Sequence, residues 1–194
     1  TVRPDDYLVS KRHFAVRREP DLTALELCRA LRDGATTFDD IEGVSWSDGH
    51  DARHAADRPF IKDLDVLPMP DHKLMKIGTH RATDNRKPFA LIKVSRGCPY
   101  ECTFCTAPTF HGHEWRARSP ESIVEEIEQI IRFTGVRHFF LQSDIFSQGR
   151  RWTKELCTLL IEKQLDIEWF CNSRVDTLNE DVLVLMKKSG CRLV

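Results

Sequence analysis

Residues 120–142 read PESIVEEIEQIIRFTGVRHFFLQ, and this stretch decides the fold. Its first part predicts a helix over Pro120–Phe133, because isoleucine and valine recur on one face at helical spacing. Ser119 can cap that helix, and proline suits its first turn. The second part predicts a strand over Arg137–Gln142. A helix that leads directly into such a strand is typical of the repeating unit of a parallel sheet.

The same alternation continues on both sides of this stretch. Further strands and helices are predicted at Phe89–Val94, Trp152–Lys163, Ile167–Cys171 and Asn179–Lys188, with another strand beginning at Cys191. Thr177 and Glu180 have the spacing of a capping box before the last helix. We therefore predict an α/β protein in which residues 88–194 form β/α units around a parallel sheet, either open or curled into a barrel.

The residues before this region divide into two parts. Residues 1–58 have α/β character, with strands predicted at His13–Val16 and Ile41–Trp46 and a helix at Leu22–Arg32. Within that helix Leu25, Cys28 and Leu31 fall on one apolar stripe. Residues 59–87 are polar and are interrupted by prolines, which predicts a linker.

The composition limits the classes of partner. The 194 residues contain 29 Lys and Arg against 30 Asp and Glu, so bulk charge does not favour nucleic acid as a partner. No apolar run reaches the length of a membrane span, and charge throughout the first 30 residues argues against a signal peptide. We expect a cytoplasmic location. A first residue that is not Met, and an end at the opening of a strand, indicate a chain cut at both ends.

Seven cysteines are present, and three of them lie within eight residues as Cys98, Cys102 and Cys105. An odd count with this crowding favours a metal site over a disulfide framework. The four scattered cysteines are interpreted as small buried apolar residues, because each lies in or beside an apolar segment. They are Cys28, Cys157, Cys171 and Cys191.

The three crowded cysteines belong to the loop SRGCPYECTFC at residues 95–105, directly after the first strand of the predicted sheet. Three thiolates can hold three corners of a cubane cluster and leave one iron open to a small chelating molecule. A structural zinc site with His111 or His113 as fourth ligand is the alternative. The position of the loop at the carboxyl end of a strand favours the cluster, because β/α enzymes place their working groups there.

The spacing Cys98-x3-Cys102-x2-Cys105, with an aromatic residue before the last cysteine, resembles the signature of the radical S-adenosylmethionine (SAM) superfamily. Further segments are similar to the cobalamin-binding branch of that superfamily. They are residues 118–121, 139–146, 167–176 and 183–191, and upstream residues 19–23 and 64–70. The Asp-x-His-x-x-Gly motif by which that branch contacts cobalamin is not found in this sequence.

The resemblance implies a [4Fe–4S] cluster on the three cysteines that cleaves SAM reductively to a 5′-deoxyadenosyl radical. Methyl transfer, cyclisation or rearrangement of a small molecule would follow, with cobalamin as second cofactor and a donor such as flavodoxin or ferredoxin. Residues 1–58 would then be the C-terminal part of a Rossmann-like cobalamin domain. Residues 88–194 would be the first half of a partial (β/α)6 barrel, truncated at its fourth strand.

Five residues are candidates for binding SAM, namely Phe104, Ser143, Asp144, Ser173 and Arg174. Phe104 would place an apolar ring beside the cluster, and the other four follow two predicted strands, where polar groups can receive a cofactor. The alternatives are a turn or helix cap for Ser143 and Asp144, and a salt bridge to Asp176 or Glu180 for Arg174. His111, His113, Arg116 and Arg118 are interpreted as solvent-exposed loop residues, and the alternative is that they line the substrate entrance or contact a propionate or phosphate group.

Two other functions stay open from the sequence. A radical SAM methylthiotransferase of transfer RNA or ribosomal protein has a similar region after the cluster, but it carries three further upstream cysteines. Only Cys28 precedes the motif in this chain. A non-catalytic, zinc-stabilised binding module is the alternative from another class.

Overall fold

A computed structural model of the protein describes residues 3–11, 13–75, 77, 81 and 86–194. The predicted linker at 59–87 therefore lies partly outside the described residues. In chain order the strands and helices are β1 Phe14–Val16, α1 Asp21–Arg32, β2 Val44–Ser47, β3 Ala52–His54, β4 Ala90–Lys93, β5 Ser95–Arg96, α2 Ala107–His111, β6 Arg116–Ala117, α3 Pro120–Thr134, β7 His138–Gln142, α4 Arg150–Lys163, β8 Glu168–Cys171, α5 Glu180–Lys188 and β9 Cys191–Leu193. Short 3-10 turns lie at Pro4–Tyr7, Leu64–Val66, Phe146–Gln148 and Val175–Thr177.

The chain folds as two compact units, and the first comprises residues 1–62 and 97–114. Its three strands form an antiparallel sheet in the order β1-β2-β3. Trp46 in β2 pairs with Phe14 on one side and with Arg53 on the other. Trp46 and Phe38 form an edge-to-face aromatic pair, with 5.8 Å between ring centroids, in the apolar core of this unit. Strand β3 was not expected from the sequence.

Helix α1 buries a different face from the one that the sequence predicted. Leu25, Cys28 and Leu31 are exposed, whereas Thr23 and Leu27 are buried. The reason is that the Thr23 hydroxyl donates to the carbonyl oxygen of Glu42 at 2.7 Å, which turns this polar residue inward. The apolar stripe on this helix therefore faces outward, and its expected burial is wrong.

The second unit comprises residues 63–96 and 115–194, and it contains a parallel sheet in the order β4-β7-β8-β9. Neighbours in the sheet are also successive in its β/α repeat, as in the opening strands of a β/α barrel. Ile92, Phe139 and Trp169 are completely buried in the core that the sheet shares with its helices. The α/β class and the parallel sheet are confirmed, and β9 begins at the expected Cys191.

The predicted helix caps have different outcomes. Ser119 caps α3 as expected, because its side chain accepts the backbone N–H of Ser122 at 3.2 Å. For α5 the predicted capping residue Thr177 is wrong. Asn179 accepts the backbone N–H of Val182 at 3.2 Å instead, which places the cap two residues later. Asparagine directly before the first helical residue has the shorter reach to that amide.

Replacing Ser119 with alanine should lower the free energy of unfolding by about 1 kcal/mol, because one amide of the first turn of α3 loses its acceptor. Urea unfolding followed by tryptophan fluorescence measures the loss. Ser119→Thr is the matched control, since it keeps the hydroxyl. Equal stability of the alanine and threonine variants would show that the cap contributes nothing.

Residues 63–75 are anchored within the second unit by polar contacts to α3 and to the residues before it. Asp65 accepts the backbone N–H of Ser119 at 2.8 Å. The His72 ring nitrogen Nε2 lies 2.7 Å from the Glu126 carboxylate, with both side chains buried. Arg118 binds the other oxygen of the same carboxylate. The predicted exposure of Arg116 and Arg118 is therefore wrong, since Arg116 is buried and Arg118 is largely covered, with 13% of its side chain exposed.

Among the described helices, none combines the length and the apolar character that a membrane crossing requires.

Candidate functional site

The three crowded cysteines lie in residues 97–114, which we call the cysteine loop and which belongs to the first unit. Cys98 is buried, Cys102 is half-buried and Cys105 is exposed, and none of the three forms a disulfide. The backbone N–H of Cys98 donates to the carbonyl oxygen of Gly112 at 3.1 Å, and that of Cys105 donates to Cys102 at 3.0 Å. These two bonds close the backbone between Cys98 and Gly112 and form a turn from Cys102 to Cys105.

Gly97 fixes the entry into the cysteine loop. Its φ of +89° lies in the region that residues with a side chain rarely adopt. A Cβ atom at this position would lie 1.9 Å from the carbonyl oxygen of Glu114. The backbones at the two ends of the loop are therefore too close together for any side chain at position 97. Short helix α2 then leads from the cysteines to Gly112.

The donor set of the cysteine loop fits an iron–sulfur cluster, because three unbridged thiols of one loop are the ligands that such clusters take. Within the described residues, no group of three or more His, Cys, Asp or Glu side chains is arranged to hold a single metal ion. The Phe104 ring is 89% exposed. This exposure does not test whether the ring lies beside a cluster, so that role of Phe104 stays a prediction.

In the second unit, polar residues follow strands β4 and β7. The Asp144 carboxylate lies 3.6 Å from the Lys93 ammonium, so a lysine of the neighbouring strand is one of its partners. The Ser143 hydroxyl is buried, and so is that of Ser95, and neither has a hydrogen-bond partner among the described residues. Buried hydroxyls normally have a partner, so both groups are free to bind a polar group of a ligand or a water molecule.

The two predicted residues after β8 have intramolecular partners. Ser173 hydrogen-bonds with the Ser147 hydroxyl and accepts its backbone N–H at 3.2 Å, which links the loops after β7 and β8. Arg174 binds Asp176 through two contacts of 3.0 and 2.7 Å, which is the alternative expected from the sequence. This guanidinium hydrogen bond holds the pKa of the Asp176 carboxyl below its ordinary value.

Two residues of this region were missed from the sequence. Lys93 forms an ion pair with Asp144, and Ser95 supplies one of the two buried hydroxyls without a partner in the described part of the chain. Ser95 had a signal, because it directly follows a predicted strand and precedes the cysteine loop. Lys93 had none, since its pairing depends on the register of β4 against β7.

The scattered cysteines behave as predicted in three of four cases. Cys157, Cys171 and Cys191 are buried in the core of the second unit. Burial raises the pKa of the Cys157 thiol to about 11, so this thiol stays protonated at neutral pH. Cys28 is exposed, and its predicted burial is wrong for the reason given for α1.

Three cysteines that form no disulfide, placed in the sequence after the first strand of a parallel β/α sheet, are typical of iron–sulfur enzymes built on a β/α barrel. The family model of the radical SAM superfamily matches residues 92–194. This match covers more than half of the chain. The chain therefore belongs to the radical SAM superfamily.

Relatives with curated descriptions extend the likeness over the N-terminal residues. The chain is 32% identical over 179 residues to an uncharacterized methyltransferase, PH0819, of Pyrococcus horikoshii, covering 92% of this chain and 38% of the relative. It is 30% identical to an anaerobic magnesium-protoporphyrin IX monomethyl ester cyclase of Rubrivivax gelatinosus, covering 90% of this chain and 32% of that protein. The chain thus spans about a third of the length of these relatives.

A solved structure confirms the fold over nearly the whole chain. The radical SAM methyltransferase TsrM of Kitasatospora setae, with cobalamin and a [4Fe–4S] cluster bound, superposes with a TM-score of 0.70. The match covers 93% of this chain and 37% of TsrM at 17% identity. At that identity the likeness shows the fold alone.

Proposed function

We propose that this protein is a cobalamin-dependent radical SAM enzyme whose Cys98, Cys102 and Cys105 hold a [4Fe–4S] cluster. The observation that carries the proposal is the cysteine loop itself, with three unbridged thiols, in a chain that belongs to the superfamily. When bound, the cluster would supply the electron that cleaves SAM to methionine and a 5′-deoxyadenosyl radical.

The residues of the cysteine loop would do three things for that chemistry. Buried Cys98 would provide a ligand held by the backbone, because its N–H is fixed by the Gly112 carbonyl. Exposed Cys105 would provide a ligand that incoming iron can reach first. Gly97 would keep the two ends of the loop in contact, since no other residue fits between its backbone and that of Glu114.

The SAM contacts that we propose lie after the strands of the second unit. Ser143 has a buried hydroxyl without a partner, which supports a role in binding a polar group. Asp144 would accept a hydrogen bond from an amino or hydroxyl group of SAM, either in place of its ion pair with Lys93 or in addition to it. Ser173 and Arg174 would have to give up the bonds to Ser147 and Asp176, which makes them weaker candidates. The exposed Phe104 ring would have to be covered.

Cobalamin and the domain boundaries are part of the same proposal. The structure of TsrM, which has the same fold, contains bound cobalamin, and the two curated relatives described above are a methyltransferase and a cyclase. We propose residues 1–58 as the C-terminal part of the cobalamin domain, 59–87 as a linker and 88–194 as the first part of the barrel. The reaction would be methyl transfer, cyclisation or rearrangement of a small molecule, in the cytoplasm, with flavodoxin or ferredoxin as the electron donor.

Anaerobic reconstitution of the chain with iron and sulfide tests the proposal. We expect a brown protein with four iron and four sulfide per chain that absorbs in the visible, and an electron paramagnetic resonance (EPR) signal after reduction that changes when SAM is added. A chain of this extent should give no 5′-deoxyadenosine by itself. A colourless protein that binds one equivalent of zinc would overturn the proposal in favour of a structural zinc module.

A further inference from the structure

Phe60 lies directly against the cysteine loop within the first unit. A Cβ atom placed on Gly112 would lie 2.8 and 2.9 Å from two carbons of the Phe60 ring, so the ring touches the glycine backbone with no room for a methyl group. Gly112 is buried and has a φ of +76°. The contact joins two parts of the sequence that are more than fifty residues apart.

The glycine that Phe60 contacts is bonded to a proposed cluster ligand. The Gly112 carbonyl oxygen accepts the backbone N–H of Cys98 at 3.1 Å, and its own N–H donates to Pro108 at 2.8 Å. Any movement of Gly112 toward a void at Phe60 would therefore shift the backbone of Cys98. Cys105, whose amide bonds to Cys102, has no such link to Gly112 in these hydrogen bonds.

The Phe60 ring is itself held by charged neighbours. The guanidinium carbon of Arg18 lies 5.1 Å from the ring centroid, at a distance where a cation and an aromatic ring attract each other. Arg18 also forms a 2.9 Å salt bridge with Asp57. The buried Glu19 carboxylate accepts the N–H of Ile61 at 2.9 Å, which fixes the backbone beside Phe60.

Ordinary core packing does not account for this arrangement. Phe60 is only half-buried, and it belongs to neither of the two clusters of buried apolar residues. Arg18 approaches it with a φ of +60°, a backbone conformation that arginine seldom adopts. Strained backbone of this kind persists where the surrounding structure requires it, and is enriched at functional sites.

We propose that Phe60 is a positioning residue for the iron–sulfur site, which holds the Cys98 end of the cysteine loop through its contact with Gly112. This inference rests on the proposed function, since it assigns Cys98 as a cluster ligand. The positioning role can be tested apart from the cluster, because the contact should protect the Cys98 thiol even when no iron is bound.

Thiol alkylation of the metal-free full chain measures that protection. Phe60→Ala should raise the rate of Cys98 alkylation by iodoacetamide roughly tenfold, because loss of the ring loosens the loop locally. The rate at Cys105 should stay unchanged. Peptide mass spectrometry reads both rates in one sample. Phe60→Leu keeps most of the side-chain volume and should give an intermediate rate at Cys98. This variant replaces Phe60→Ala in the test if the alanine variant unfolds.

Phe133→Ala is the matched control for this measurement. The Lys73 ammonium lies 4.4 Å from the Phe133 ring centroid, so the variant also removes a ring beside a cation. Phe133 belongs to the second unit and the cysteine loop to the first. The control should leave the Cys98 rate at the wild-type value.

A second measurement uses the glycine partner. Gly112→Ala should lower the iron content after reconstitution and alter the EPR spectrum of the reduced cluster, and Phe60→Ala in the same chain should restore part of both by making room for the methyl group. Gly34→Ala is the control for backbone strain alone. Gly34 has a φ of +78° and nothing within 4 Å of an added Cβ, so its variant should take up iron normally.

The outcomes separate the two proposals. If wild-type protein takes up no [4Fe–4S] cluster, the proposed function falls, and the thiol rates still decide whether Phe60 holds Cys98. If the cluster forms normally but Phe60→Ala changes neither the Cys98 rate nor the EPR spectrum, the positioning role is overturned and the proposed function stands. Unfolding of both Phe60 variants, seen as equal alkylation of Cys98 and Cys105, would count against a local role as well.

Discussion

Replacing Cys98, Cys102 or Cys105 singly with alanine should abolish stable uptake of the [4Fe–4S] cluster, because each removes one of the three protein ligands. A cubane held by only two thiolates exposes further iron to solvent and is lost to chelators. Iron and sulfide analysis after anaerobic reconstitution, together with visible absorbance, measures the effect. We expect near-complete loss in all three variants.

Cys28→Ala is the matched control for these variants. Cys28 is a free and exposed thiol of the first unit that lies outside the cysteine loop. It is also the only cysteine that precedes the motif, so an effect of its removal would point to an additional upstream ligand. Full cluster content in any one of the three loop variants would contradict the assignment of that cysteine as a ligand.

The parts of the fold that could be predicted are those whose signal is local. Helix α3 has its cap, its proline and its apolar stripe within sixteen residues, and the structure reproduces it with an end that differs by one residue. The neighbouring strand β7 is apolar enough to be recognised without knowledge of its partners. In both elements the tertiary structure buries most of the apolar residues of the sequence pattern, so local and tertiary preferences agree.

The parts that were missed depend on contacts between distant residues. Strand β3 consists of Ala52, Arg53 and His54, which carry no strand pattern and are ordered by pairing with β2. Helix α1 has an apolar stripe that points outward, because the hydrogen bond of Thr23 to Glu42 decides its orientation. Tertiary contacts override propensity most easily in short or weakly patterned segments.

The candidate site divides in the same way. The spacing of the three cysteines is a property of one short loop, so the donor set was available from the sequence. The contact of Phe60 with Gly112 was not, because nothing in the sequence pairs an aromatic residue with a glycine so far along the chain. The bond between Arg174 and Asp176 spans two residues and was available as an alternative.

Arg118 was expected to be exposed to solvent, but its contacts in the structure predict a large contribution to the free energy of unfolding. Its guanidinium binds the Glu126 carboxylate, and it also donates to the hydroxyl of Ser122 at 2.8 Å. The side chain of Glu126 is 2% exposed, and its other oxygen is the partner of His72. One buried carboxylate therefore joins helix α3 to two segments that precede it in the chain.

Arg118→Met should lower the free energy of unfolding by about 3–5 kcal/mol, because it leaves a buried carboxylate without its cation. Urea unfolding followed by tryptophan fluorescence measures the change, because three of the four tryptophans, Trp115, Trp152 and Trp169, lie in the second unit. Arg151→Met is the matched control, since it removes an exposed ion pair with Glu155 at 2.7 Å. Solvent screens that pair, so we expect almost no change in stability.

The double variant Arg118→Met with Glu126→Met separates the lost pair from the stranded charge. Replacing both partners of a buried ion pair with apolar residues of similar size is often neutral, whereas removing one partner is strongly destabilising. The double variant should therefore be more stable than Arg118→Met, although His72 loses the partner of its Nε2 atom. If the double variant is less stable than the single one, the network stabilises the unit through the hydrogen bond between His72 and Glu126 more than through the charge balance of Glu126 with Arg118.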